Sequence, residues 1–301
     1  MMAMFWKQWR NSLYFLMIFI LLVMALLPLL TVSVVGYTFF SRSMLDMVTE
    51  SNFETLEQVQ YKLTQIRADI DDILVKTSGH SAIQEILREK AESEWEAYRH
   101  ARFFAEYTQL LMIGNQEIYK ISIMDLQGRS FDSLGRFLPN NQISEPGVYR
   151  EMLRQLMNGD TLTAISGIYE THHGIHLISF GKIVLNLQTG KPLGMVVVDL
   201  NLRILKNELN QVGLLNSGKV ILVNQENRVI FHPALPTGSY LNTDWTRESS
   251  MRFFVKEKEN GEVFLYLRSR LKDMNWNLYG MIPYEEVLDQ TSSIRKPFIF
   301  L

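Results

Sequence analysis

The chain of 301 residues contains no cysteine. That excludes thiol nucleophiles, thiolate metal ligands and a disulfide framework. A domain built this way rests on its own apolar core, and 47% apolar residues supply the material for one. A basic surplus is missing as well. Lys and Arg number 30 against 32 Asp and Glu, a net charge of −2, so nothing points to nucleic acid as a partner. The common catalytic fingerprints are absent: there is no G-x-S-x-G, H-E-x-x-H, phosphate loop or dinucleotide glycine pattern. The paired acids Asp71-Asp72 and Glu285-Glu286 fall on helix surfaces, where solvation is the simplest account. No enzymatic activity and no cofactor are expected.

The most telling absence is local. From Leu13 to Phe40 there is no charged side chain. A helix of that length reaches about 40 Å, more than the ~30 Å hydrocarbon core of a bilayer requires. Lys7 and Arg10 precede the run with no acid between Met1 and Asn11, and Arg42, Asp46 and Glu50 follow it. The positive-inside rule puts residues 1–12 in the cytoplasm, the span at 13–40 and the bulk of the chain outside the cell membrane. Trp6, Trp9, Tyr14 and Tyr37 suit the two interfaces, and Pro28 and Gly36 are tolerated in a membrane helix. A cleaved signal peptide fits less well, because its apolar core is usually 7–15 residues and no clear A-x-A site follows this one.

Beyond the span, residues 43–112 read as helices. Leu56, Val59, Leu63, Ile66, Ile70 and Ile73 recur at spacings of three and four, a heptad seam. It is shorter than the three to four heptads that establish a coiled coil. Two readings therefore stand: a helix packing on its own globular body, or the stalk of a homodimer. Gly79 and His80 end this helix, and Ser81 with Gln84 reads as a capping box opening a second one to about Met112. The period then changes. Tyr119, Ile121 and Ile123 alternate with Ile118, Lys120 and Ser122 as in a half-buried strand. A short helix behind Pro146 follows, then strands at 161–170, 175–185 and 193–199, and a helix from Leu200 to Leu209. Residues 220–229, VILVNQENRV, repeat the plan of 121–130, ISIMDLQGRS, at an offset of 99. Two copies mean two similar lobes, at 113–212 and 213–292, and not a solenoid. The second lobe's strands are expected at 219–223, 229–232, 262–270 and 276–282, with a loop-rich stretch at 237–248. A helix follows from Tyr284. Residues 293–301 read as the start of a second membrane helix.

Three motifs mark this layout: the strand-D-x-x-G-R-strand of the first lobe, L-G-M-V-V-V-D at that lobe's last strand, and W-N-L-Y-G-M-I-P-Y-E-E-V near the end of the second. Together, in this order, they resemble the double-Cache sensors over residues 43–292. The style is similar to the extracytoplasmic regions of YesM-type sensor histidine kinases and AraC-type membrane regulators of Gram-positive bacteria. The resemblance implies an α+β fold. After the transmembrane and stalk helices come two PAS-like antiparallel-sheet lobes, the first distal to the membrane. It also implies a receptor that senses a small-molecule ligand or a solute-binding protein, dimerises and is embedded in membrane lipid. Its output domain is then expected elsewhere, the chain being an excerpt, a truncated product or a subunit. A membrane-anchored binding or partner protein without signalling output is the alternative.

Candidate site residues lie in the first lobe. Asp199 ends an apolar strand, which suits either the N-cap of the next helix or a pocket wall. In amino-acid-binding members of the resembled family an aspartate at this position pairs with the ligand amine, which implies that role for Asp199. The accompanying arginine, tryptophan and tyrosine signature is not found, and Val148-Tyr149-Arg150 is the nearest stretch. Tyr119, Tyr149 and Tyr169 with Arg129 and Arg150 are candidates to line a cavity. Simple packing of the tyrosines between sheet and helix is the competing reading. His172, His173 and His176 cluster near Glu170. Exposed loop histidines are the plainest account and no metal site is assigned. His176 is kept as a ligand contact or a sensor of external pH.

Overall fold

The computed structural model describes residues 2–89, 91–138, 146–159, 161–241, 253–257 and 261–292. Helix α1 runs Met2–Gly79, 78 residues with Pro28 inside, or ~117 Å at 1.5 Å per residue. Its segment Leu16–Gly36 is exposed throughout. Among the described residues it is the one helical stretch long and apolar enough to cross a membrane. Further along, α1 gains an amphipathic face. Leu56, Val59, Leu63, Ile70 and Ile73 are buried in the chain's own core, and Ile66 is half-buried beside them. Packing on the globular body therefore accounts for the heptad seam. Packed in this way, the six positions leave little apolar surface for a partner helix.

The segment expected as one helix from Ser81 to Met112 is two, α2 (Ser81–Arg88) and α3 (Glu94–Met112). The capping interaction forms at the second of two similar sequences. Ser93 Oγ accepts from Glu96 N, and Glu96 reaches back to the amide of Glu92. At the first, Gln84 Nε2 donates to Ser78 O instead, so the expected box at Ser81 does not form.

The first lobe holds β1 (Ile118–Asp125), β2 (Ser130–Asp132), β3 (Phe137–Leu138), α4 (Pro146–Asn158), β4 (Thr163–Ile165), β5 (Tyr169–Glu170), β6 (His176–Leu185) and β7 (Pro192–Asn201). They form one antiparallel sheet in the order β3-β2-β1-β7-β6-β4, with β5 paired to β6. Helix α5 (Leu202–Asn210) leads to the second lobe, made of β8 (Lys219–Val223), β9 (Val229–Phe231), β10 (Phe253–Glu257), β11 (Val263–Leu271) and β12 (Trp276–Pro283), then α6 (Tyr284–Ser292). Its antiparallel order is β10-β11-β12-β8-β9. Strand β10 has no counterpart in the sequence reading. The stretches 242–248 and 293–301 lie outside the described residues.

The repeat holds atom for atom at its turn. Asp125 Oδ1 accepts from the amides of Gln127 and Arg129, and Asn224 Oδ1 accepts from those of Glu226 and Arg228. Gly128 and Asn227 take the left-handed position, at φ 87° and 59°. The same loop recurs at Asp132–Arg136 and, with a threonine hydroxyl, at Thr171–Ile175. His172 and His173 are therefore the exposed inner positions of a hairpin turn.

Strand β1 is buried along almost its whole length, not on alternate residues as a half-buried strand would be. The reason is that both faces of the first sheet are covered. On one side Ile121, Ile123, Ile178, Phe180, Val196 and Val198 join the core shared with α1. On the other, Met124, Ile183, Met195 and Val197 meet Tyr149, Met152 and Leu156 of α4. Phe180 also lies 6.4 Å, centroid to centroid, from Trp276 of the second lobe.

Candidate functional site

Cross-strand register assembles a polar group on the α4 side of the first sheet. Asp199 stands opposite Lys120 on β1 and opposite Ser179 on β6. Directly paired residues share a face, so the three side chains form a row across neighbouring strands. Asp199 lies inside β7 and does not cap α5. That cap is Asn201, whose Oδ1 accepts from Arg203 N. The strand runs two residues beyond the point where the sequence reading ends it.

Helix α4 closes over the row. Gly181, on the same face of β6, permits the approach: a Cβ there would stand 2.7 Å from Met152 Cε. Tyr149, one helical turn earlier, then donates from its hydroxyl to Asp199 Oδ2 at 2.6 Å. Ser179 Oγ donates to Oδ1 at 2.6 Å. The Tyr169 hydroxyl donates to the same oxygen at 3.1 Å and lies 2.9 Å from Ser179 Oγ. Lys120 Nζ sits 3.7 Å from Asp199 Oδ2 and 5.5 Å from the centroid of the Tyr149 ring. Ser166, in the link between β4 and β5, holds the Ser179 amide at 2.8 Å through its hydroxyl.

The centre of this group is out of water, with Tyr169 and Ser166 half-buried at its edge. Asp199 and Ser179 are 0% exposed, Tyr149 1% and Lys120 2%. Burial, followed by the Asp199 charge, pushes the Tyr149 phenol well above its usual range, so it stays a proton donor. A buried carboxylate persists as an anion only when paired and hydrogen-bonded. Here one ammonium and three hydroxyls do that.

Of the residues singled out from sequence, Asp199, Tyr149 and Tyr169 come together. Arg129 does not. It pairs with Asp125 at the far end of β1, five residues or about 17 Å from Lys120 along the strand. Tyr119 is half-buried at the β1 bulge between Ile118 and Lys120 and makes no hydrogen bond to the cluster among the described residues. His176 lies at the rim, with Nε2 3.8 Å from Glu170 Oε2, one step along the strand pair from Tyr169. Arg150 is exposed on α4. Sequence reasoning missed Lys120 and Ser179. Their signal was a lysine in the apolar run I-Y-K-I-S-I-M and a serine in H-L-I-S-F, which a sheet with one wet face would simply have turned outward. A separate open cleft of about 310 Å³ runs between α1 and α5, walled by Val59, Leu63, Lys62 and Glu208.

The double-Cache model dCache_1, described as "Cache domain", matches residues 43–291. The chain belongs to the Cache-domain family. Its fold recurs in solved structures. The sensory domain of the Campylobacter jejuni chemoreceptor Tlp3 superimposes with a TM-score of 0.60 at 14% identity, over 83% of this chain and 99% of that one. The ligand-binding domain of the Pseudomonas fluorescens chemoreceptor CtaA, in complex with L-isoleucine, gives 0.58 at 14% identity over 85% and 98%. The ligand binding domain of Mlp24 with asparagine gives 0.58 at 14% over 84% and 99%. No curated protein matches the sequence. At such identities the likeness is one of fold, and the Cache domain's chemistry has to be read from its own site.

Proposed function

We propose that this Cache domain is the extracytoplasmic sensing region of a bacterial transmembrane receptor and that its first lobe binds a small molecule. The observation that carries the reading is the Asp199 cluster: a buried, polar, aromatic-walled group under α4, on a lobe fixed to a helix continuous with the apolar segment Leu16–Gly36. Neighbours of the same fold are ligand-binding domains of chemoreceptors seen with asparagine and L-isoleucine, which supports a small-molecule ligand here.

In this reading the described arrangement is the closed, self-satisfied state. Ligand entry lifts α4 and the 166–168 link from the sheet and shifts the equilibrium between two packings of lobe and helix. Tyr149, Tyr169 and Asp199 face the ligand, and His176 stands at the entrance. Copies pair through the membrane helix and the exposed faces of α1, since the seam itself is buried. A solute-binding protein is the alternative carrier of the signal. A sensor histidine kinase or an AraC-type regulator is the output, and the reading frame beyond Leu301 decides between them.

The test is a melting screen of the full chain in detergent against sugars, carboxylates, amino acids and metal salts. A ligand of the native state raises the melting temperature, and Tyr149→Phe should weaken that rise. Stabilisation untouched by Tyr149→Phe and Tyr169→Phe would move the site elsewhere.

A further inference from the structure

A carboxylate beside an aromatic face and hydroxyl groups is an ammonium site by its chemistry: the charge pairs with the anion and the ring quadrupole adds to it. In this lobe the site is built from Asp199, Tyr149, Tyr169 and Ser179, and it already holds an ammonium. Lys120 Nζ lies 3.7 Å from Asp199 Oδ2 and 5.5 Å from the Tyr149 ring centroid. Lys120 stands on β1 opposite Asp199 of β7, and its side chain is 3% exposed. To leave, it would have to break the α4 packing and strand a buried anion, an outcome that favours the occupied state strongly.

We propose that Lys120 is a built-in occupant of this ammonium site, so that the ligand of the first lobe is a molecule without a primary ammonium: a neutral or anionic compound that meets hydroxyl and ammonium donors, not a free α-amino acid. The inference rests on the first lobe being the binding lobe for its ligand class, but the filled site is a statement about the chain's own residues and is testable by itself.

Truncation to alanine removes three carbons and the ammonium, which is the shape of n-propylammonium. The full chain in detergent carrying Lys120→Ala should melt roughly 10 °C below the parent chain. Millimolar n-propylammonium should restore part of the loss, and 1-propanol, equal in size but uncharged, should not. The rescue should vanish in the Lys120→Ala/Asp199→Asn double variant. The parent chain should gain nothing from L-isoleucine, L-asparagine or n-propylammonium. An unshifted melting temperature for Lys120→Ala, equal rescue by 1-propanol, or stabilisation of the parent chain by primary amines that Asp199→Asn abolishes would each overturn the proposal. If Lys120→Ala does not fold, Lys120→Met keeps the stem volume. It should melt below the parent chain, and a melting point equal to the parent's counts against an ammonium requirement. A parent chain that no compound stabilises, with rescue of Lys120→Ala intact, defeats the sensing role and leaves the filled site standing.

Discussion

Asp199 is held by the groups around it, so each partner has a predictable weight. Tyr149→Phe removes one donor and leaves a lone pair of a buried anion unsatisfied, which should lower unfolding free energy by about 1–3 kcal/mol in urea titration. Asp199→Ala leaves the Lys120 ammonium buried without its counter-charge, and about 3–5 kcal/mol is expected. The two losses should be strongly non-additive in a double-mutant cycle, since both act on one carboxylate. Simple additivity would mean that the hydroxyl and the carboxylate do not interact in solution. Tyrosine burial has a second consequence, in the other lobe. Burial raises the Tyr266 phenol to about 12, against an ordinary value near 10 in the unfolded chain. The folded state therefore favours the protonated phenol. That contribution is complete below about pH 10 and is lost as pH rises from there toward 12. Denaturant midpoints should fall steeply across that interval. Tyr266→Phe should flatten the fall, and an unchanged slope would discount this group.

At the scale of elements, the turns and α1 show what can be read from one chain and what cannot. The loop D-L-Q-G-R announces a hairpin because its aspartate can bind two amides ahead and its glycine can take a positive φ. Its echo N-Q-E-N-R works because asparagine tolerates the same region. Gly128→Ala should therefore cost about 1–2 kcal/mol, whereas Asn227→Gly should stay within about 0.5 kcal/mol of the parent. Comparable losses for the two would show that the positions are not equivalent. The break between α2 and α3 was not legible. Ser81-Gln84 and Ser93-Glu96 both fit a capping box, and the choice depends on Gln84 finding Ser78 O. The seam of α1 was legible as apolar periodicity but not in its destination, because 3-4 spacing serves a partner helix and a sheet equally well. Its burial here sets the expectation for Leu63→Ala at about 2–5 kcal/mol of domain stability. A variant that folds as firmly as the parent but loses self-association would place Leu63 in a dimer seam instead. Of the candidate site, the residues that advertise chemistry were found: a carboxylate and two tyrosines. Lys120 and Ser179 were hidden because cross-strand register and a second covered face are properties of the sheet, not of any stretch of sequence.

The whole molecule is tied together at β6. Ser179 faces the Asp199 cluster, and Phe180, the next residue, faces the opposite way into the core shared with α1 and the second lobe. The Arg67 guanidinium of α1 lies 4.8 Å from the Phe180 ring centroid, and Trp276 of β12 lies 6.4 Å from it. Arg67 also pairs with Asp71 at 2.8 Å. Burial lowers the Arg67 affinity for its proton and raises that of Asp71, each partly offset by the other's charge. One aromatic ring thus touches α1, which carries the apolar segment Leu16–Gly36, and the neighbouring lobe, while the strand carrying it borders the Asp199 cluster. Two lobes sharing a core in this way should unfold as one unit despite their repeated plan. Scanning calorimetry of the full chain should give a single transition for residues 43–292, with van't Hoff and calorimetric enthalpies equal. Phe180→Ala should lower stability by about 3–5 kcal/mol. It should also broaden or split that transition, because it removes the contact common to all three parts. Truncating a ring buried among residues of one lobe, such as Tyr266 on β11, should shift the midpoint without splitting it. Two transitions in the parent chain, or an unsplit one in Phe180→Ala with the full loss of stability, would separate the lobes thermodynamically. A signal from the first lobe would then have to reach α1 by some route other than β6.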